Sequence, residues 1–299
     1  RQSSRRKTGV EAETLMDLNP SLIYAAITGY GDTGPYAERP GYDLIAQGES
    51  GLMSITGQPG GEPMRYPIPL SDMTTGLYAA LGVLGALLAR QQTGRGQVLD
   101  LSLLESQSAW LAILASAYLN AGEAPQRLGN IHPNIAPYQV FQAKDKYIIV
   151  AVGTQRLWTR FCEALGIVDT VMDDPRFSTN SDRLAHREEL ADLLQNILVQ
   201  KEADYWLEAL RAAQIPSGPI NSVPETLAHP QLLDRGFDVD LEHPLAGWVK
   251  SLANPIRFSD TPVSYRLPPP TLGEHNTAIL GELGYTPEEI GLFADGRII

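Results

Sequence analysis

A long apolar segment lies between two strand-like segments in the first third of the sequence. Residues 22–28 (LIYAAIT) form an apolar, β-compatible run, and residues 97–104 (QVLDLSLL) alternate between apolar and polar side chains. Between them, residues 73–90 are rich in alanine and leucine and predict a helix that the QQTGRG turn ends, whereas residues 29–70 hold many glycines and prolines and predict an irregular stretch. A helix between two strands is typical of an α/β fold, which we expect here.

The sequence changes in character near residue 129. YQVFQAKDKYIIVAVG predicts a β-hairpin, IPSGPINSVPE predicts an extended linker, and amphipathic helices are predicted between them at about residues 155–165, 185–200 and 203–213. We therefore predict the first part of a large domain at residues 1–128, a smaller α+β domain at residues 129–215, and a return to the large domain at residues 216–299.

Composition argues against several classes of function. The net charge of −12 disfavours a nucleic-acid-binding surface, and the apolar runs at 77–89 and 109–119 predict no membrane span. Cys162 is the single cysteine, which excludes a disulfide framework and a cysteine zinc site and suits a reducing cytosol. The five histidines are scattered, so no metal is predicted. We expect a cytoplasmic protein, or a mitochondrial one in a eukaryote, without nucleic-acid or membrane partners.

The start of the sequence is unusual. It begins at Arg1 without methionine and soon reaches the strand-like segment at residues 22–28. We expect that an N-terminal segment precedes it.

A glycine motif follows the first strand-like segment. Residues 29–34 (GYGDTG) match the G-x-G-x-x-G pattern of dinucleotide-binding folds, but Pro35 follows and no helical period opens within the motif. The motif instead indicates a loop whose glycines let backbone lie close to a ligand or another chain.

Asp72 stands where the proline-rich loop enters the long helix. Aspartate is a good N-cap residue, and on local physics alone this interpretation is favoured. The alternative is chemical, because a helix N-terminus stabilises negative charge. Flanked by Thr74, Thr75 and Gly76, the Asp72 carboxylate would then be a nucleophile in an oxyanion-binding nest.

Several long motifs carry a resemblance over essentially the whole chain. In order and spacing, the chain resembles the family III CoA-transferases, which include formyl-CoA transferase, carnitine CoA-transferase and the α-methylacyl-CoA racemases, on these segments: GYGDTGPYAERPGYDLIAQGESGLMSITG, PLSDMTTGLYAALGVLGALLARQQTGRGQVLDLSLLES, HPNIAPYQVF, IPSGPINSV and LGEHNTAIL. The resemblance implies a Rossmann-like large domain with a smaller α+β domain, in an interlocked homodimer. It also implies that Asp72 is the nucleophile that forms an aspartyl anhydride and then an aspartyl-CoA thioester.

The resemblance further implies where substrate binds. The CoA-binding segment of the family corresponds to Arg39, Pro40, Gly41 and Tyr42 here, and Arg39 is expected to pair with a CoA phosphate. Coenzyme A enters as a thioester substrate, so no permanently bound cofactor is expected. The acceptor is expected to be a carboxylic acid, such as the dicarboxylate succinate. The glycine-rich lid of formyl-CoA transferase has no counterpart, which argues against an oxalate-type acid.

Two alternatives stay open within this resemblance. The racemases use a histidine in a G-H-D motif, and this sequence has Gly41-Tyr42-Asp43, in which tyrosine is a poor base at neutral pH. A fragment that only binds acyl-CoA is the non-enzymatic alternative. His132, in the loop GNIHPN, is expected to bond to backbone rather than to act in catalysis.

Overall fold

A computed structural model describes residues 2–296 and 298–299. The chain divides into two compact units, one ending at Pro219 and the other beginning at Ile220, and both mix helices with strands. The expected α/β class is therefore confirmed at this level. The predicted division into a large domain, residues 129–215 and a returning tail stays a prediction.

The first half of the first unit is built around a parallel pair of strands. Its elements are α1 Gln2–Thr8, α2 Ala12–Leu18, β1 Tyr24–Thr28, α3 Asp43–Glu49, α4 Leu52–Ile55, α5 Leu70–Thr93, β2 Val98–Ser102, α6 Leu103–Ser108 and α7 Ala112–Ala121. Strands β1 and β2 pair in parallel, from Tyr24 opposite Val98 to Thr28 opposite Ser102. The predicted strand–helix–strand arrangement is thus confirmed.

This half holds short helices that the sequence did not predict. Helices α1 and α2 precede the first strand, and α3 and α4 lie inside the stretch 29–70 that was predicted to be irregular. A 3₁₀ turn at Ala109–Leu111 separates α6 from α7. Helix α3 was missed because it has only seven residues and lies among glycines and prolines, so its apolar period is too short to detect.

The second half of the first unit holds most of the hydrophobic core. Its elements are β3 Tyr138–Gln142, β4 Tyr147–Ala151, α8 Gln155–Leu165, α9 Asn180–Ala185, α10 Arg187–Leu198, α11 Ala203–Ala212 and β5 Ser217–Pro219. The strands form an antiparallel sheet in the order β3-β4-β5, which includes the predicted hairpin. Alternate residues of β4, Ile148 and Val150, point into the core. Helix α8 covers them with Trp158 and Phe161, spaced as one helical face requires.

The second unit has little interior. Its elements are α12 Val223–Leu227, α13 Pro230–Asp234, β6 Asp238–His243, β7 Gly247–Leu252, α14 Asn276–Glu282 and α15 Pro287–Asp295. Strands β6 and β7 form an antiparallel hairpin. The segment expected as an extended linker contains β5 and α12, and α12 begins with a capping box between Ser222 and Glu225.

Helix α5 has two different faces. Its buried side carries small residues, among them Ala79 and Ala86, and a Cβ on Gly82 would lie 3.3 Å from Leu99 of β2. Its other side exposes an apolar stripe, each residue between 54% and 65% exposed: Met73, Leu77, Leu81, Leu84 and Leu88. The spacing of four, four, three and four residues puts these side chains on one face.

Helix α5 is longer than the apolar run at 77–89, which by itself predicted no membrane span. By length and composition alone it is the one helix among residues 2–296 and 298–299 that is long and apolar enough to cross a membrane, although core helices of soluble proteins share these properties. The apolar run at 77–89 looked shorter because Ser71, Asp72 and the threonines interrupt its start.

Candidate active site

Asp72 is the third residue of α5, because the helix begins at Leu70 and Pro69 occupies the N-cap position. The interpretation of Asp72 as the N-cap is therefore wrong. Its side chain lies on the exposed side of the first turn, while its neighbour Ser71 is fully buried. Asp72 is thus a solvent-facing carboxylate at a helix N-terminus, where the helix dipole favours negative charge.

The group that satisfies the start of α5 is a second carboxylate, Asp43, in the first turn of α3. The Ser71 N–H donates to Asp43 Oδ1 at 2.8 Å. The other oxygen, Oδ2, accepts a 2.7 Å hydrogen bond from Gln47 Nε2, one helical turn further along α3. Gln47 is 1% exposed, and its Oε1 accepts from the Tyr66 N–H at 2.9 Å. Asp43 is held from two sides.

The charge of Asp43 acts on the Asp72 carboxyl. Desolvation raises the pKa of Asp72 above its ordinary value, and the negative charge of Asp43 raises it further. These effects oppose the helix N-terminus, which favours the ionised form. A carboxylate with a raised pKa is a stronger base, and so a better nucleophile once it is ionised.

Buried polar groups lie beneath this end of α5. The Ser71 hydroxyl and Gln107 Oε1 are 2.9 Å apart, and the Thr75 hydroxyl donates to the Ser71 carbonyl at 2.7 Å. Within the described part of the chain, Thr74 Oγ1 and Gln107 Nε2 are buried without a hydrogen-bond partner. Each unsatisfied buried group costs about 1–3 kcal/mol, so this region is not organised for stability alone.

The expected oxyanion nest differs from the structure. Thr74 and Thr75 are buried rather than open beside Asp72. Ser71 N–H is occupied by Asp43, and Leu70 N–H donates to Ile68 at 2.8 Å. Among the described residues, the Asp72 N–H has no acceptor, so it is the free donor in this turn.

Gly76 keeps space open beside Asp72. It lies four residues further along α5, on the same face, and a Cβ built there meets nothing within 4 Å. Gly85 is likewise open, whereas a Cβ built at Gly82 would lie 3.3 Å from Leu99. Glycine costs a helix about 1 kcal/mol relative to alanine. Because nothing packs against Gly76, close packing does not explain why the helix carries a glycine at this position.

The predicted CoA-binding segment, Arg39 to Tyr42, leads directly into α3 and so to Asp43. The Arg39 guanidinium stacks on Tyr36, with its central carbon 3.7 Å from the ring centroid, and Tyr42 is 75% exposed. Pro40 is also exposed. Gly41 packs on Gly29, where a Cβ on Gly29 would lie 2.5 Å from the Gly41 Cα. The glycines of GYGDTG thus allow close approach of this chain to itself, and no helix opens inside the motif.

His132 bonds to backbone, as its loop context favours. Its Nδ1 accepts from the Asn134 N–H at 3.1 Å, and its ring stacks on Tyr138 with the centroids 5.0 Å apart. Among residues 2–296 and 298–299 no cluster of three metal-ligating side chains occurs.

Sequence reasoning identified Asp72 but missed Asp43, Gln47 and Gln107. A signal was present for the first two, because Asp43 and Gln47 are spaced i and i+4, the separation at which helix side chains pair. No local signal marks Gln107, whose contact with Ser71 joins residues 36 positions apart.

The fold and this site define a mixed α/β protein with an exposed carboxylate at the start of a helix. A sequence model described as CoA-transferase family III matches residues 1–276. The chain belongs to this family, and the family predicted from its motifs is confirmed.

Known relatives agree with this assignment. The chain is 43% identical over 277 residues to succinate–glutarate CoA-transferase of Agrobacterium fabrum, covering 93% of this chain and 69% of the relative. It is 37% identical over 292 residues to human succinyl-CoA:glutarate CoA-transferase, covering 97% and 66%. The chain thus spans about two thirds of the length of these relatives. A crystal structure of a CaiB/BaiF family protein from Brucella suis superposes with a TM-score of 0.85 at 41% identity, covering 94% of this chain and 73% of that one.

Removal of the neighbouring charge tests the electrostatics of the site. Asp43→Asn is expected to lower the pKa of Asp72, because one of the two causes that raise it disappears while desolvation remains. The carboxyl resonance of Asp72, followed by NMR against pH, measures this shift. Glu49→Gln, a neutralisation at the other end of α3, is the matched control and should leave the titration unchanged. An Asp72 pKa that stays the same or rises in Asp43→Asn would contradict the arrangement.

Proposed function

We propose that this protein is a CoA-transferase that moves CoA from an acyl-CoA donor to a carboxylic acid, with Asp72 as the covalent nucleophile. The observation that carries the proposal is the position of Asp72, exposed in the first turn of α5 beside an open glycine. Family membership and two relatives named for succinate or succinyl-CoA and glutarate support dicarboxylic acids as donor and acceptor.

The chemistry proceeds through alternating anhydrides and thioesters. The Asp72 carboxylate attacks the donor thioester carbonyl, the C–S bond breaks, and CoA leaves as a thiolate. The thiolate then attacks the aspartyl carbonyl of the anhydride, which releases the donor acid and leaves an aspartyl-CoA thioester. The acceptor carboxylate displaces CoA from that thioester, and the thiolate takes the acceptor acyl group from the second anhydride. Asp72 is regenerated, and no step needs a proton, a metal or an oxidant.

The environment of Asp72 suits this sequence. The helix N-terminus and the free Asp72 N–H stabilise negative charge that develops at the attacked carbonyl. Asp43 raises the pKa of Asp72, which makes the carboxylate more basic. Because only the ionised form attacks, activity should fall on the acid side, at a higher pH than for an ordinary aspartate.

CoA binding is proposed for the segment Arg39–Tyr42. Arg39 is exposed, is held by Tyr36, and makes no ion pair with any residue that the structure describes, so its charge is available for a phosphate. A racemase is not favoured, because position 42, where racemases have histidine, holds an exposed tyrosine.

A Rossmann-like large domain and an interlocked homodimer complete the proposal. The parallel β1–α5–β2 unit is the building block of such a domain. The stripe Met73–Leu88 on α5 leaves five large apolar side chains more than half exposed, and burying the exposed part of each contributes about 1–2 kcal/mol. We propose that protein, rather than lipid, covers the stripe.

Replacement of the nucleophile tests the mechanism. Asp72→Asn and Asp72→Ser should fold with unchanged melting temperature yet lose transferase activity by several orders of magnitude, since neither side chain forms the anhydride. Steady-state assays with succinyl-CoA and glutarate measure this. Asp17→Asn, an exposed carboxylate on α2, is the control and should keep full activity. Activity in a verified Asp72→Asn protein would end the covalent mechanism.

Substitution of Arg39 tests whether this residue binds acyl-CoA without taking part in the chemical step. Arg39→Ala should raise the KM for acyl-CoA by about tenfold, the equivalent of one charge-assisted contact, and leave the KM for the acid unchanged. Arg39→Lys keeps the charge but weakens the stack on Tyr36, so its KM for acyl-CoA should lie between those of the wild type and Arg39→Ala. Equal acyl-CoA KM values for all three proteins would show that Arg39 is only a solvated charge.

The association state tests the role of the α5 stripe. Sedimentation without detergent should give a dimer. Leu81→Glu, at the centre of the stripe, should weaken the dimer, and Arg95→Glu, an exposed site just beyond α5, should not. A monomer, or binding to neutral lipid vesicles that the stripe mediates, would contradict the proposed protein interface.

A further inference from the structure

A cavity lies at the start of α8. It has a volume of about 560 Å³, opens to solvent, and is lined by Gly153, Thr154, Gln155, Asn180 and Arg183, among others. Nothing in the proposed reaction uses these residues. The N-terminus of α8 and the buried side chain of Arg183 both line the cavity.

Arg183 is the unusual member of this lining. It is 1% exposed, and its guanidinium lies over the Trp158 ring, 4.6 Å from the centroid. Its Nε donates to the Ala136 carbonyl at 2.7 Å, and its Nη1 donates to Gln155 Oε1 at 3.2 Å and to the Phe177 carbonyl at 3.0 Å. In the described part of the chain Nη2 has no acceptor, yet it is not among the fully enclosed unpaired atoms. Arg183 lines the cavity, and Nη2 is its nitrogen that has no acceptor among the described residues.

The charge of Arg183 is compensated only in part, by the adjacent Asp182 carboxylate, which acts to raise the pKa of Arg183. No carboxylate of the described residues forms an ion pair with it, and the adjacent Asp182 uses its Oδ2 to accept from the Thr179 N–H and hydroxyl at 2.9 and 2.7 Å. Burial lowers the pKa of Arg183, which reflects the cost of a charge removed from water. Because its hydrogen bonds all go to neutral oxygens, the Arg183 guanidinium keeps part of its positive charge available at the cavity wall.

Helix α8 adds donors to the same space. It has eleven residues, and its cap, Thr154 Oγ1, accepts from the Leu157 N–H at 3.3 Å. The N–H groups of Gln155 and Arg156 have no acceptor among the residues described. The unsatisfied N–H groups and the dipole of a helix of this length attract an anion.

We propose that this cavity binds a small oxyanion, either a carboxylate or a phosphate group, between Arg183 Nη2 and the N-terminus of α8. The planar fork of arginine suits both groups. The two sources considered, the free carboxylate of a dicarboxylic acid and a phosphate of CoA, rest on the proposed function. Oxyanion binding itself does not.

Substitution of Gly153 can place a side chain in the cavity without a steric clash. A Cβ there meets nothing within 4 Å, its φ is not left-handed, and it lies two residues before α8 begins. Gly153→Asp places a tethered carboxylate in the cavity, and Gly153→Asn places a neutral group of the same shape. The aspartate should therefore compete with an added anion, and should raise the melting temperature above that of the asparagine variant.

The test is a titration of the full chain with glutarate, with inorganic phosphate and with CoA, followed by the amide resonances of Gln155 and Arg156. These amides should shift on addition of glutarate or phosphate. Gly153→Asp should weaken that binding at least about tenfold, and Gly153→Asn less than about threefold. Stronger binding of glutarate identifies the carboxylate source, and stronger binding of phosphate and CoA identifies the phosphate source.

Three results would overturn the proposal. They are the absence of any shift at these amides up to about 10 mM of each probe, equal weakening by both variants, and no weakening by either. Because binding is read without turnover, a failure here leaves the transferase proposal standing, and inactivity of the wild-type enzyme leaves this one testable.

Discussion

The hydrogen bond from the Ser71 N–H to the Asp43 carboxylate fixes the start of α5, and the site depends on it. A helix end leaves N–H groups without partners, and a charged acceptor satisfies one of them at a gain of about 1.5–3 kcal/mol. Here that acceptor comes from α3 rather than from the residue that precedes the helix. The same contact brings Asp43 close to Asp72, so the interaction that positions the helix also raises the pKa of the Asp72 carboxyl.

Helix α5 joins this chemistry to the packing of the protein. Its small residues allow close approach to β2, its first turn presents Asp72, and its outer face carries the apolar stripe Met73–Leu88. The stripe begins at Met73, so any surface that covers it starts at the residue next to Asp72 in the sequence. The proposed dimer interface and the proposed nucleophile therefore lie on the same helix. A change in association should alter the surroundings of Asp72.

Local patterns explain what could be predicted. The parallel strands, the hairpin around residues 138–151 and helix α8 all follow from short-range periodicity, and Asp72 follows from a motif. Helix α3 is too short for that signal. The exact start of α5 depends on Asp43, 28 residues before Ser71, so a local cap rule chose the wrong residue. The buried Arg183 was not predicted either, because its partners lie in three separate segments of the chain.

The covalent role of Asp72 is tested most directly by trapping. The wild-type protein, given succinyl-CoA without an acceptor and then treated with hydroxylamine, should carry a hydroxamate on the peptide that contains Asp72, detected by mass spectrometry. The label should appear at Asp72 and at no other carboxylate, since only an activated acyl group reacts. A protein that turns over fully but is labelled at another residue, or at none, would contradict the account.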